Sequence, residues 1–185
     1  LLASTAHLLS SPLVAQLAQA YPGIRTRVSV GYAGQLMERL KDGEVDIALL
    51  YDQKPTPALH VKTLLEEPLW VVAPASARLR RQRPVALAQA LGHPFVLPSA
   101  PHGLRALLEP AAARANLAFN VLAETNDVGV QKSLVADGHG WTILPAVAVA
   151  GDVAEGRVSA APVVRPALQR KVVLAAASGR QATAA

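Results

Sequence analysis

Three short runs hold most of the polar groups in this chain that are placed to act on another molecule. They are Ser4-Thr5-Ala6-His7, Ser99-Ala100-Pro101-His102-Gly103 and Thr125-Asn126-Asp127. Hydroxyl, imidazole and carboxamide groups are good at binding through hydrogen bonds. Catalysis asks for more: a nucleophile beside a base, or a metal in a donor cage. No GxSxG elbow, Walker loop, GxGxxG or HExxH occurs. The five histidines (His7, His60, His93, His102, His139) never stand at metal-ligand spacing with carboxylates. There is no cysteine, hence no disulfide, thiolate ligand or thiol nucleophile. Glu66 and Glu67 are adjacent, so on a strand their side chains point apart and cannot work as a pair. The expectation is a protein that binds rather than catalyses, with no metal and no cofactor.

Each polar run follows an apolar stretch that reads as a strand and leads into a helical pattern. In open α/β sheets, ligands bind at the carboxyl ends of the strands. Helix N-termini there offer N–H groups and a partial positive charge, so the natural guest is a small anion. The competing reading is that Ser, Thr, Asn and Asp before a helix are simply N-caps. Asp127 suits that role, since a carboxylate would repel an anion. His7 and His102 are more informative, because histidine is not a leading cap residue. Tyr32 enters another helix and is a candidate wall for a binding site.

The positioning elements follow from periodicity. The clearest stretch is GYAGQLMERLKDGEVDIALLYD, residues 31 to 52. Leu36 and Leu40 share one helical face, Gly43 supplies the left-handed residue that ends the helix, and the apolar run Ile47 to Leu50 predicts a buried, parallel strand. Asp46 stands at that strand's entry and reads as structural. Leu1 to Ala3 look like the tail of a strand, with Ser4 to His7 as a loop. Ser11 and Pro12 suit the start of a helix carrying Leu13, Leu17 and Tyr21 on one face. Ile24 to Val30 alternates and predicts a strand.

Further strands are expected over Val61 to Ala73 (broken at Pro68), Pro94 to Pro98, Phe119 to Ala123, the WTIL run, Val158 to Ala161 and Arg170 to Ala177. Helices are expected over Ala86 to Leu91, around Leu104, Leu107, Leu108 and Ala111 with an interruption at Pro110, and around Leu134 and Val135. Ala146 to Glu155 is weakly helical. The closing SGRQATAA reads as frayed or truncated. Strand and helix alternate throughout, which predicts a mainly parallel sheet or two of them. A strand, a Ser/Thr/His loop and a helix recur near Ser4–Leu13 and Leu97–Leu107, suggesting two similar lobes.

With 185 residues, 51% of them apolar and 17% charged, the chain can bury a core. No apolar run approaches the ~20 residues of a membrane helix. No signal peptide is visible, and a first residue other than Met reads as a fragment. Net charge is +5. The four arginines of ARLRRQRP (Arg78, Arg80, Arg81, Arg83) read as solvated, and Trp70 and Trp141 read as core.

Several stretches carry a family likeness. The run AQAYPGIRTRVSVGYAGQLMERLKDGEVDIALLYD resembles the effector-binding domain of LysR-type transcriptional regulators. EEPLWVVAPASARL is similar to that family's crossing strand, VLPSAPHGLRALLE to the first loop and helix of its second lobe, and SLVADGHGWTILPA to its Gly-containing turn and strand. The PHGLR string is similar to members near the nitrogen-assimilation branch. The likeness covers nearly the whole chain.

It implies an α/β fold of the type 2 periplasmic-binding-protein-like class, with two lobes, each a mixed sheet flanked by helices, and two crossover strands. Lobe I would be residues 1–70 and 171–185, and lobe II residues 71–170. The implied function is sensing a small, anionic effector in a cleft between lobes, by Ser4, Thr5, Tyr32, Ala33, Ser99, His102, Thr125 and Asn126. His7 lies two residues past the family's polar pair and joins the candidates. The resemblance further implies a homodimer of this domain, a tetramer of the parent, a cytoplasmic setting, and DNA contact only through a winged helix-turn-helix outside this sequence. The alternatives are an extracytoplasmic solute-binding protein of a transporter and, third, a small lyase or dehydratase on a similar fold.

Overall fold

The computed structural model describes residues 1–178. The expected fraying of the closing residues from Gly179 onward therefore lies outside the described residues. In chain order the elements are α1 (Ala3–Ala20), α2 (Ala33–Lys41), β1 (Ile47–Tyr51), β2 (Leu59–Pro74), β3 (Val85–Ala86), α3 (Leu87–Ala90), β4 (Pro94–Leu97), α4 (Gly103–Ala113), β5 (Asn120–Glu124), α5 (Val128–Ala136), β6 (Thr142–Pro145), α6 (Ala146–Ala154), β7 (Val158–Val164) and β8 (Gln169–Ala177). Two compact units result. A terminal unit holds Leu1–Glu66 and the chain from Lys171, and a central unit holds Glu67–Arg170. The family resemblance implies a first division after residue 70.

In the terminal unit, Leu36 and Leu40 of α2 are buried with Leu2, Leu50, Tyr51, Val172 and Val173. Gly43 takes φ +75 just past α2, as its position predicts. β1 is buried over its last four residues, but it pairs antiparallel with β8, Leu49 opposite Leu174. An apolar run reports burial and not direction, so the expected parallel pairing is corrected. Four further expectations are also corrected. Ser4 to His7 are helical, since α1 starts at Ala3. Ser11 and Pro12 therefore lie inside that helix, and proline there removes one N–H donor. The face of Leu13 and Tyr21 stands in solvent, 37% and 57% exposed. Ile24 to Val30 joins no strand ladder; only Leu1 to Ala3 run beside its end, meeting it at the Leu2–Gly31 bridge.

In the central unit, β2 pairs antiparallel with both β6 and β7, while β3–β7 and β4–β5 are parallel. The sheets are mixed rather than mainly parallel. β2 runs unbroken through Pro68, an exposed position. α4 likewise continues through Pro110. One core joins Leu69, Val71, Phe95, Leu97, Leu104, Leu108 and Ile143, and a second joins Val72, Val135, Leu144, Val149 and Val158. Trp141 packs on the first and stacks on His93 with ring centroids 3.7 Å apart; Trp70 packs on the second.

Two buried polar contacts tie this unit together. Gln131, 2% exposed, donates to the Val96 carbonyl at 3.1 Å and to Thr142 Oγ1 at 2.5 Å. Asp152 on α6 accepts from Lys132 Nζ on α5 at 2.7 Å and from Arg157 at 2.7 Å. Gly140 takes φ +131, and a Cβ there would stand 2.9 Å from the Pro94 carbonyl oxygen, so only glycine fits this approach. No helix among the described residues is long and apolar enough to cross a membrane.

Candidate functional site

In the central unit the parallel pairing of β4 and β5 brings their carboxyl ends side by side, Leu97 opposite Glu124. The loops that leave there are two of the three polar runs, and they are tied to each other. The Thr125 amide donates to the Leu97 carbonyl at 3.0 Å. The Ser99 amide donates to Asn126 Oδ1 at 3.2 Å, and Asn126 Nδ2 donates to Ser99 Oγ at 2.9 Å. The Asn126 carboxamide is thus held by both its ends, and the Ser99 hydroxyl retains its own proton to donate. Beneath them Arg105 donates to the Pro98 carbonyl at 3.3 Å and to Glu124 at 2.8 Å, so the one carboxylate at this edge of β5 is already paired.

His102 is the N-cap of α4, and its Nδ1 accepts from the Leu104 amide at 3.2 Å. It therefore does the work that serine or aspartate usually does. Burial, and after it the charge of Arg170, pull its pKa below the ordinary imidazole value. A neutral imidazole that accepts at Nδ1 carries its proton on Nε2, which makes that nitrogen a donor. Arg170 is 5% exposed, and its Nη2 lies 3.5 Å from the point a Cβ on Gly103 would occupy. Its guanidinium therefore lies against the first turn of α4. Asp127 caps α5 as expected, accepting from the Val130 amide at 2.8 Å, while Thr125 Oγ1 accepts from the Asp127 amide at 3.2 Å. Donors line this edge beside the Arg170 guanidinium, with the Glu124 and Asp127 carboxylates engaged by Arg105 and by the Val130 amide, which suits an anion or a carbonyl.

In the terminal unit, the Ala3 amide donates to the Gly31 carbonyl at 3.1 Å, and the Gly31 amide donates to the Leu1 carbonyl at 3.2 Å. This sets the start of α1 beside the loop into α2. Ser4 Oγ and Tyr51 Oη are 2.7 Å apart. Thr5 is buried, and its hydroxyl donates to the Leu2 carbonyl at 3.1 Å, an intrahelical use. Tyr32 and Ala33, both half-buried, are the N-cap and first residue of α2. The Tyr32 ring lies over Gly34, where an added Cβ would meet Cε2 at 3.2 Å. His7 is exposed, one turn along α1. A depression of about 220 Å³ in this unit, lined by Ile47, His60, Val61, Lys62 and Leu174 among others, holds none of these residues.

The structure thus brings Ser99, Asn126, Thr125 and His102 to one edge of the central unit, and Ser4, Tyr32 and Ala33 to one edge of the terminal unit. Two neighbours escaped the sequence reading. Tyr51 is the last residue of an apolar run, and a phenol at the carboxyl end of a buried strand was the available signal. Arg170 is far from His102 in sequence and carried no signal.

The family model of the LysR substrate binding domain matches residues 1–185. The chain belongs to this family. Among curated relatives, the HTH-type transcriptional regulator BbuR of Bordetella bronchiseptica is 31% identical over 148 residues, covering 80% of this chain and 46% of BbuR. A probable nitrogen assimilation transcriptional activator of Synechococcus elongatus is 28% identical over 160 residues, covering 84% of this chain and 52% of that protein. The chain spans about half the length of the curated relatives it matches. Among solved structures, the CcmR regulatory domain of Synechocystis PCC6803 in complex with 2-PG superimposes with a TM-score of 0.84 at 19% identity, covering 97% of this chain and 86% of that one. The effector binding domain of QuiR in complex with shikimate gives 0.81 at 18% identity, covering 97% of this chain and 86% of that one. The fold is the type 2 periplasmic-binding-protein-like fold of LysR effector-binding domains, as the sequence predicts.

Proposed function

We propose that this chain is the effector-sensing domain of a cytoplasmic LysR-type transcriptional regulator, and that its effector is a small anion. The observation that carries this reading is the reciprocal Ser99–Asn126 pairing at the carboxyl ends of β4 and β5, beside the α4 N-terminus and Arg170. Two loops held that way present fixed donors, and the neighbouring carboxylates are engaged, Glu124 by Arg105 and Asp127 by the Val130 amide. The family membership and the two ligand-bound neighbours, with 2-PG and with shikimate, support it.

Ser99, His102, Thr125 and Asn126 are the effector contacts of the central unit. Ser4, Tyr32 and Ala33 are those of the terminal unit, with His7 one turn away. Thr5 contributes by fixing the first turn of α1. The domain acts by population shift: the effector biases the conformational equilibrium only by as much as it binds one state better than another. Operator sequence is read by a part of the whole protein outside this chain. A second copy of the domain covers α1, whose apolar Leu8, Leu13 and Val14 stand 60%, 37% and 40% exposed. A dimer of this domain and a tetramer of the whole regulator follow as the proposed assembly.

Thermal melting of this chain against a panel of small carboxylates and phosphorylated acids tests the sensing role. A true effector at a hundredfold excess over its Kd adds ~2.7 kcal/mol and raises Tm by several degrees. The Ser99→Ala/Asn126→Ala variant loses that shift while keeping its unliganded Tm within a few degrees. If no acid in the panel raises Tm, or the double variant responds as the parent does, the reading is wrong.

A further inference from the structure

The segment between Pro74 and Pro84 displays four arginines that effector sensing does not use. Pro74 opens a single 3-10 turn, Ala75–Ala77, and Arg78 follows with φ +53, its amide donating to the Ala75 carbonyl at 3.1 Å. Leu79 packs against the core of the central unit. Arg80 and Arg83 then face each other in an antiparallel bridge, with the Arg83 amide donating to the Arg80 carbonyl at 2.9 Å. Arg81 and Gln82 form the tip. Pro84 leads directly into β3, which is paired with β7. Leu79 on one side and β3 on the other fix this turn to the unit, and all four arginines are exposed.

Residues opposite each other in an antiparallel bridge send their side chains to the same face, about 5 Å apart at Cβ, and like charges so placed repel. No carboxylate of the described residues pairs with Arg78, Arg80, Arg81 or Arg83. The chain therefore roots four exposed arginine side chains on one short, backbone-held turn without a carboxylate to offset them. An anion seated between them would offset their charge. Guanidinium forks match the paired oxygens of a phosphodiester better than a point cation does. A row of phosphates, unlike a single ion, serves several arginines at once. The contact argued for is to phosphate oxygens, which carry no sequence information. Four of the chain's 18 lysines and arginines stand within the six residues 78 to 83, with no acid among them.

We propose that the turn from Arg78 to Arg83 binds the phosphodiester backbone of double-stranded DNA. The contact is separate from the effector contacts and adds, without sequence preference, to whatever part of the whole protein reads the operator.

The test is anisotropy titration of a fluorescent 24-base-pair duplex of arbitrary sequence with this chain, from about 50 to 200 mM NaCl. Four phosphate contacts give a log–log salt slope near −3.6, or roughly a 150-fold loss of affinity over that range. Arg78→Gln/Arg80→Gln/Arg81→Gln/Arg83→Gln should flatten the slope by about that amount. The pair Arg80→Gln/Arg83→Gln should flatten it by about half as much, and serves if the quadruple variant melts low. A control that removes the same charge elsewhere, Lys41→Gln/Lys54→Gln/Lys62→Gln/Arg114→Gln, should keep the parent slope. The proposal is overturned if the parent does not bind duplex at the low salt or if both arginine variants keep its slope. It is also overturned if the control flattens as much, or if poly-glutamate is bound more tightly than the duplex, which would make an acidic protein the partner.

Discussion

Asp152 offers the most direct test of how the loop bearing Asn126 is supported. Its carboxylate joins α5, through Lys132, to α6 and to Arg157 just beyond it. The Asp152 and Lys132 side chains are 11% and 21% exposed, and Arg157 is 51% exposed. In Asp152→Asn the half-exposed Arg157 pair is screened and accounts for only about 0.5 kcal/mol. Lys132 keeps the Ala148 carbonyl at 3.3 Å but loses its counter-charge while largely shielded from water. That loss is about 1–3 kcal/mol. Together the cost is about 1.5–3.5 kcal/mol, equivalent to a fall in Tm of roughly 3–14 °C.

The pH dependence follows from the same contacts. Burial disfavours the ionised form of Asp152, but the hydrogen bonds from Lys132 and Arg157, with their charges, outweigh it and hold the carboxyl below the usual range. A group whose pKa is depressed on folding gives stability that is present above its unfolded pKa and lost as pH falls through the folded one. The gap between parent and Asp152→Asn should therefore be full at pH 7 and narrow steadily below about pH 4. Differential scanning calorimetry at a series of pH values measures it. A gap under about 1 kcal/mol at pH 7, or one unchanged at pH 3, would refute the reasoning.

Two further outcomes follow from buried polar groups. His102 is held neutral by burial and by Arg170, so the unfolded chain binds the extra proton and stability should fall as pH drops below about 6.5. His102→Asn, which can still cap α4, should keep most of the stability at pH 8 and lose that pH dependence, as read by urea melts at several pH values. Gln131→Ala strands Thr142 Oγ1 and leaves a void, at a cost of about 3 kcal/mol by urea denaturation. Gln131→Ala/Thr142→Val should cost less than the two single changes combined, because the stranded hydroxyl is then gone.

What the sequence disclosed depended on the range of the interaction involved. Leu36, Leu40, Gly43 and the run from Ile47 were readable because helix period, stop residue and strand burial are local. The direction of β1 was not, since its partner β8 comes from the far end of the chain. The alternation of Ile24 to Val30 was real, yet a strand requires a neighbour along its length. Ser4 to His7 resembled a loop because a start at Ser11-Pro12 fits capping rules better than Leu2 does; packing of Leu2 and Ala6 overrides that local preference. At the candidate site, Ser99, His102, Thr125 and Asn126 were findable because each sits just before a helix. Tyr51 meets Ser4 across 47 residues of chain, and Arg170 meets the α4 terminus from a different strand. Neither relation leaves a trace in local pattern.

The segment Ile24 to Val30 has a consequence for handling the protein. The amides of residues 25 to 30 donate to no described carbonyl, so they should exchange with solvent deuterium at rates set by little more than intrinsic chemistry. Ile24 and Val30, 60% and 52% exposed, add apolar surface to that open backbone. Together these are what a foreign strand needs in order to add on, and fibrous association would begin here. Arg25 and Arg27 sit between the apolar residues. A second copy stacking in register would set arginine against arginine, so the charges that interrupt the pattern also guard it, and they should do so less well as salt rises.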